Sequence, residues 1–247
     1  MKRGTLVKMG NVFVFSGSNR TGNSKCEYLS KYLVDRLKQY GITSSLYLAS
    51  KCNLNYCVGC TRCFLGEDCL IHDDLSAIKR DLFGSDVIVF VSPVYAHNVP
   101  APLKCLIDRL SYLLHLMPFA GNAGISISVS SNNGNKDVNS YLDTTMECMG
   151  LSVISSFGIL CNDMDQVVQK SYMENAVDEI RSFLRYREIH ASTYQEEVFK
   201  ELSLYFSDST DSPESKAWIR QGYHLKESFE EIVREKTRLI LQKGETK

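Results

Sequence analysis

The sequence predicts a doubly wound α/β domain, a five-stranded parallel sheet of strand order 2-1-3-4-5, carrying a helical C-terminal extension. Three observations lead there. Short apolar runs alternate with helical periodicity from Asn11 to about Leu160, helical pattern alone continues beyond that point, and the loops with chemical character all follow strands. Strict strand–helix alternation implies right-handed βαβ units, and therefore a parallel sheet covered on both faces.

The elements follow in order. NVFVF (11–15), DVIVFV (86–91) and GISISV (124–129) are compact β-branched and aromatic runs. TSSLYL (43–48) and LSVISSFGIL (151–160) complete a set of five strands. Cys26, Leu29, Leu33 and Leu37 repeat at helical spacing and Gly41 stops that helix. Leu75, Ile78 and Leu82 make a second stripe, capped by Asp73 or Asp74 and stopped by Gly84. Leu103, Leu106, Ile107, Leu110 and Leu114 make a third behind Pro100 and Pro102, and Val138, Leu142, Thr145 and Met149 a fourth, closed by Gly150. Beyond the last strand, Met173, Val177, Ile180 and Leu184, then Val198, Leu202 and Tyr205, read as helix. The polar stretch SDSTDSPES (207–215) breaks the pattern before a charged helix around 227–241. The division expected is a domain over 1–190 and an extension over 191–247, packed on that domain or on a second subunit.

Composition excludes little but narrows the setting. A net charge of −1 gives no reason to expect nucleic acid or an anionic membrane as a partner. Met1 to Phe15 has early charges and an apolar run in the manner of a signal peptide, but Lys8 interrupts it, no small-residue cleavage site follows, and no stretch approaches a membrane span. A cytosolic location is expected, where thiols stay reduced. The nine cysteines, an odd number, argue against a disulfide framework.

Chemistry begins directly after the first strand. SGSNRTGNSK (16–25) places hydroxyl and glycine residues between a strand and a helix N-terminus, where backbone N–H groups and the helix dipole favour an anion. It matches neither the Walker A loop nor the G-x-G-x-x-G dinucleotide fingerprint. Lacking the P-loop lysine, it suits a terminal phosphate monoester such as that of FMN. The plainer reading is a helix cap within a polar turn. SPVYAHNVPAPLKCLIDR (92–109) follows the third strand, the neighbour of the first at the switch point of a 2-1-3-4-5 sheet, so both loops flank the ligand crevice. SSNNGNKD (130–137) follows the fourth strand. One loop for phosphate and two for a planar ring make a flavin site.

In this order SGSNRTGNS, CVGCTRCFLGEDCLIHDDL and DVIVFVSPVYAHNVPAPLKCLIDR resemble the flavodoxin-like NADPH-dependent FMN reductases and the related iron–sulfur flavoproteins. The resemblance covers roughly Val12 to Leu160. It implies non-covalent FMN, homodimers or homotetramers, and electron transfer from NAD(P)H to a small-molecule acceptor such as a quinone, a nitro or azo compound or free flavin. By position, Ser16, Ser18, Asn19, Arg20, Gly22, Asn23 and Ser24 would hold the phosphate. Pro93, Val94, Tyr95 and Ala96 would border the isoalloxazine ring, and Asn132, Asn133 and Gly134 would close the site. The C-terminal WIRQG (218–222) is similar to the helical ends of relatives. No side chain is assigned as a catalytic acid or base.

Four cysteines, Cys57, Cys60, Cys63 and Cys69, fall within one loop. Their spacing resembles the motif that holds a [4Fe–4S] cluster in iron–sulfur flavoproteins, with Gly59 and Gly66 allowing tight turns, and the resemblance would then imply a ferredoxin-like electron partner. Cluster-free reductases resemble the same segment, and the expectation preferred is that the thiols pack beneath the loop. Zinc, with His72 or Cys52 nearby, and a Cys57–Cys60 redox pair are further readings. His97 could reach the flavin or substrate, although a lone loop histidine is more often a surface residue. Asp108 and Arg109 are expected to serve structural pairing.

Overall fold

The computed structural model describes residues 10–161, 166–208 and 211–245. The leading stretch considered for a signal peptide lies outside them up to residue 9. Five strands, β1 (Asn11–Ser16), β2 (Thr43–Leu48), β3 (Val87–Pro93), β4 (Ala123–Ser130) and β5 (Ser152–Leu160), form one sheet of order β2-β1-β3-β4-β5 with every pairing parallel. This is the flavodoxin-like order expected, and the strands fall on the five apolar runs. Those of β1, β3 and β4 are almost wholly buried, as strands covered on both faces must be.

Strand parity sorts the core into two layers. On one face Val12, Val14, Val87, Val89 and Val91 meet α1 (Lys25–Gln39) and α5 (Gln166–Tyr186). On the other, Phe13, Phe15, Ile88 and Phe90 meet α2 (Leu75–Phe83), α3 (Ala101–Leu110) and α4 (Asn135–Cys148). The helical stripes read from spacing are the faces buried here: Leu29, Leu33 and Leu37 on α1, and Ile78 and Leu82 on α2, are each 1% exposed or less. The cap of α2 is shared. Asp74 occupies the cap position, but its Oδ2 accepts the Asn53 N–H (2.7 Å), while Asp73 Oδ1 accepts the Leu75 N–H (3.1 Å).

The extension differs from expectation in two respects. A further helix, α7 (Pro213–Gln221), starts inside the polar stretch taken as a break, between α6 (Thr193–Asp208) and α8 (Phe229–Glu245). Ser212 caps it by accepting the Ser215 N–H at 3.0 Å, and Pro213 occupies its first turn, so those polar residues begin a helix rather than interrupt one. The buried face of α6 is Phe199 and Phe206, not the predicted Tyr205, which is 64% exposed. Both phenylalanines lie against Trp218 of α7, with ring centroids 5.2 and 5.1 Å apart.

Candidate functional site

The loops after β1, β3 and β4 emerge at the same end of the sheet. Gly17, directly after β1, donates its N–H to Val91 O of β3 (2.8 Å), locking the first two loops side by side at the switch point. Ser16 lies on the strand face shared by Val12 and Val14, beneath the start of α1. Its hydroxyl is buried and meets no hydrogen-bond partner among the described residues. A buried hydroxyl is ordinarily paired, so this one suits an acceptor that FMN would bring through its phosphate. Ser18 is also buried and accepts from the Arg20 N–H (3.3 Å) and from the Ser24 hydroxyl (3.1 Å). Ser24 accepts the Glu27 N–H as the cap of α1, so its own donor and one acceptor position are already engaged. Ser24 therefore orders the loop, and Ser16 and Ser18 keep hydroxyl protons to offer. Asn19, Arg20, Gly22 and Asn23 are exposed on the loop crest, with Gly22 and Asn23 in left-handed backbone.

Asn19, Tyr56, Tyr95 and Pro100 line a cleft of about 460 Å³; of the residues predicted for the site, Asn19 and Tyr95 are the ones in its lining. That volume falls in the range of small-molecule and cofactor sites. Pro93 ends β3, and Tyr95 and Asn98 close a two-residue turn through reciprocal backbone bonds of 2.9 Å. Both central residues, Ala96 (φ 49°) and His97 (φ 59°), are left-handed, a conformation costing about 1–2 kcal/mol per non-glycine residue.

The third loop reaches the second through Gly134. At φ 82°, a Cβ there would lie 2.6 Å from Val94 Cγ1, so only glycine fits. Asn132 and Asn133 are exposed beside it. The amide that holds this loop is Asn135, which sequence reasoning missed. Its Nδ2 donates to Ser128 O and Ser128 Oγ (both 3.0 Å), and its Oδ1 accepts from the Ser130 hydroxyl. In a run of near-identical amides, only its place immediately after the glycine, at the helix start, could have singled it out. Asp137, likewise unassigned, meets His97 Nδ1 at 2.5 Å.

The cysteine loop runs from the same cleft down the face carrying α2 and α3. Gly59, Thr61 and Gly66 are all left-handed, and the two glycines stand where tight turns were expected. The four thiols line one cavity of about 130 Å³ together with Arg109 and Lys79. The expectation that they pack beneath the loop fails for Cys57 and Cys60, which are exposed. Cys63 and Cys69 are half-buried, and burial pushes the Cys63 thiol above its ordinary range. Arg109 donates to Cys69 Sγ at 3.3 Å. A cubane with four thiolates is anionic, and the wall that the four cysteines share holds three cations, Arg62, Lys79 and Arg109, against one carboxylate, Asp108, which fits such a cluster. No group of three or more His, Cys, Asp or Glu among the described residues is arranged to hold a single metal ion, and His72 is exposed, which counts against the zinc reading.

Arg109 is structural, as expected, but its partner is not its neighbour Asp108, which pairs with Lys104. It forms an ion pair with Asp73 (2.8 Å), both side chains being 1% exposed or less, and donates to Asn55 O (2.7 Å).

Comparison with known proteins agrees with this fold. The family model of the NADPH-dependent FMN reductases matches residues 11–164. An iron-sulfur flavoprotein of Methanosarcina thermophila is 31% identical over 150 residues, 58% of this chain and 78% of that protein. Iron-sulfur flavoproteins of Archaeoglobus fulgidus and Methanocaldococcus jannaschii are each 30% identical over 131 residues, 51% of this chain, and the match spans only 59% and 65% of their own lengths. Among solved structures, an NADH:FMN oxidoreductase (EMOB) in its apo form has a TM-score of 0.54 at 19% identity, over 70% of this chain and 88% of that one. RosB has a TM-score of 0.56 at 10% identity, over 81% and 88%. These structural likenesses speak for the fold. Because the family model runs from β1 past the end of β5, taking in all three loops and the cysteine segment, the chain belongs to the NADPH-dependent FMN reductase family.

Proposed function

We propose that the protein is an FMN-dependent oxidoreductase that accepts hydride from NAD(P)H and reduces a small-molecule acceptor of the quinone, nitro, azo or flavin kind. The observation that carries this reading is the cleft at the switch point, lined by Asn19 and Tyr95 of the first and second loops; outside its lining, the buried Ser16 hydroxyl has no hydrogen-bond partner among the described residues. FMN supplies hydride chemistry when bound, and the chain supplies binding and orientation. Ser16 and Ser18 offer hydroxyl protons to the phosphate, with Asn19, Arg20, Gly22 and Asn23 around it and Ser24 fixing the loop. Pro93, Val94, Tyr95 and Ala96 border the ring, while Asn132, Asn133 and Gly134 close the site. The reading includes a cytosolic homodimer or homotetramer, for which the exposed Tyr56, Val58, Leu65 and Leu70 provide apolar surface.

A second reading extends the first, and the convergence of four thiols on one cavity favours it. Cys57, Cys60, Cys63 and Cys69 hold a [4Fe–4S] cluster that exchanges single electrons with a ferredoxin-like partner, in keeping with the names of the curated relatives. Cluster binding requires all four thiols to lose their protons, including that of Cys63. Anaerobic purification followed by a visible spectrum with iron and sulfide assays separates the readings. Flavin bands with about four iron and four sulfide per chain support the second. Flavin bands without iron leave the first alone, and a colourless protein that takes up no added FMN sinks both. Steady-state oxidation of NADH against NADPH then identifies the donor.

A further inference from the structure

Among the described residues, two histidines meet a carboxylate through Nδ1. His190 does so with Glu230, at the end of the sheet where Ser152 begins β5, away from the cleft. His97 does so with Asp137 at the other end, where the candidate site lies. The tight turn Tyr95–Asn98, with two non-glycine residues in left-handed backbone, carries the imidazole away from β3, and Asp137 in the first turn of α4 receives it. The pair thus bridges the second and third loops, the two assigned to the ring, beside the contact of Val94 with Gly134. The His97 side chain is 62% exposed and that of Asp137 53%, so the imidazole is open to a small molecule from solvent.

A carboxylate on Nδ1 holds the proton there, fixes the ring orientation and makes the outward Nε2 the more basic nitrogen. We infer that His97, oriented by Asp137, is the general acid that gives a proton to the acceptor. The inference rests on the flavin reading above. For a quinone the balance is complete. The acceptor takes two electrons and one hydrogen as hydride from the reduced cofactor, and its carbonyl oxygen takes the second hydrogen as the proton from Nε2–H of the imidazolium. A quinol, oxidised cofactor and neutral imidazole result, and water reprotonates the imidazole. His97 is the catalytic residue and Asp137 its positioning residue.

Two measurements test this. In FMN-free protein labelled with ¹⁵N-histidine, the neutral His97 ring should carry its proton on Nδ1, and Asp137→Asn should return it to Nε2. A wild-type ring protonated on Nε2 overturns the inference without reference to turnover. Next, FMN-loaded protein is reduced with dithionite and reoxidised either by a water-soluble benzoquinone, which needs a proton, or by ferricyanide, which does not. His97→Asn, which tolerates the left-handed backbone, should lower the quinone-to-ferricyanide rate ratio about hundredfold. Asp137→Asn should lower it about tenfold. A ratio equal to wild type, whether both rates fall together or neither moves, overturns the inference, as does a reduced protein that quinone fails to reoxidise. A wild-type chain that takes up no FMN overturns the flavin reading and this inference with it.

Discussion

Arg109 ties three segments together from one buried position. Its guanidinium contacts Asp73 at the start of α2, Asn55 O in the descending loop and Cys69 Sγ in the cysteine loop. Burial pushes the Asp73 carboxyl up, but Arg109 and the Asn55 and Leu75 amides outweigh burial and hold it below its ordinary range. A depressed carboxylate contributes stability that is present above its unfolded value, near 4, and lost as pH falls through the lower folded value. The cysteine loop should therefore loosen only in strong acid. At neutral pH Arg109→Leu strands a buried carboxylate and should cost about 3–5 kcal/mol in urea unfolding. The double variant with Asp73→Asn should recover much of that loss. Equal losses in the single and double variants would mean that the pair contributes packing alone.

At the scale of elements, α4 is held by polar contacts as much as by its apolar stripe. Asn135 and Asp143, two helical turns apart, face the serines of β4 and β5. Ser128 and Ser130 meet Asn135, and Ser156 donates to Asp143 Oδ2 at 2.6 Å. Burial raises the Asp143 carboxyl above its usual value, while Ser126 and Ser156 beside it act against that rise. Asn135→Ala removes several of these bonds at once. It should lower unfolding stability by about 1–3 kcal/mol and weaken FMN uptake by freeing Gly134 from Val94, as seen by flavin titration. Unchanged FMN affinity would show that the third loop is not part of the site. This seam also marks where the sequence stops being legible. Val138 and Leu142 announced the helix because apolar periodicity reports burial in water-excluding surfaces. Polar residues buried by mutual bonding leave no such trace, so Asn135 does not stand apart from its amide neighbours in the sequence although it bonds Ser128 and Ser130. For the same reason the strands coincide with apolar runs visible in the sequence, whereas α7 is introduced by a run of hydroxyl and acidic residues that carries no apolar signal.

Over the whole molecule, the C-terminal helices share the core of the sheet domain. Trp218 and Tyr223, each 1% exposed, donate to His115 O (2.8 Å) and Met117 O (3.1 Å) in the segment before β4. Phe199, Phe206 and Phe229 complete an aromatic cluster continuous with the layer that covers β1, β3 and β4. α7 also touches the turn Arg62–Leu65, and Phe64 of that turn lies 5.2 Å from the His115 ring, so the extension backs the cysteine loop as well as the sheet. Such continuity predicts one cooperative unit despite the change of pattern after the last strand. Trp218 is the single tryptophan of the chain, so its fluorescence reports the extension while far-UV circular dichroism reports the whole fold. The two denaturation curves should coincide. Tryptophan exposure at lower denaturant than the loss of dichroism would instead make the extension a separate unit. Trp218→Ala empties the centre of the cluster and should cost about 3–5 kcal/mol. If α7 supports the cysteine loop, the same variant should make Cys63 and Cys69, half-buried in the native chain, react with a thiol reagent at denaturant concentrations where the wild type protects them.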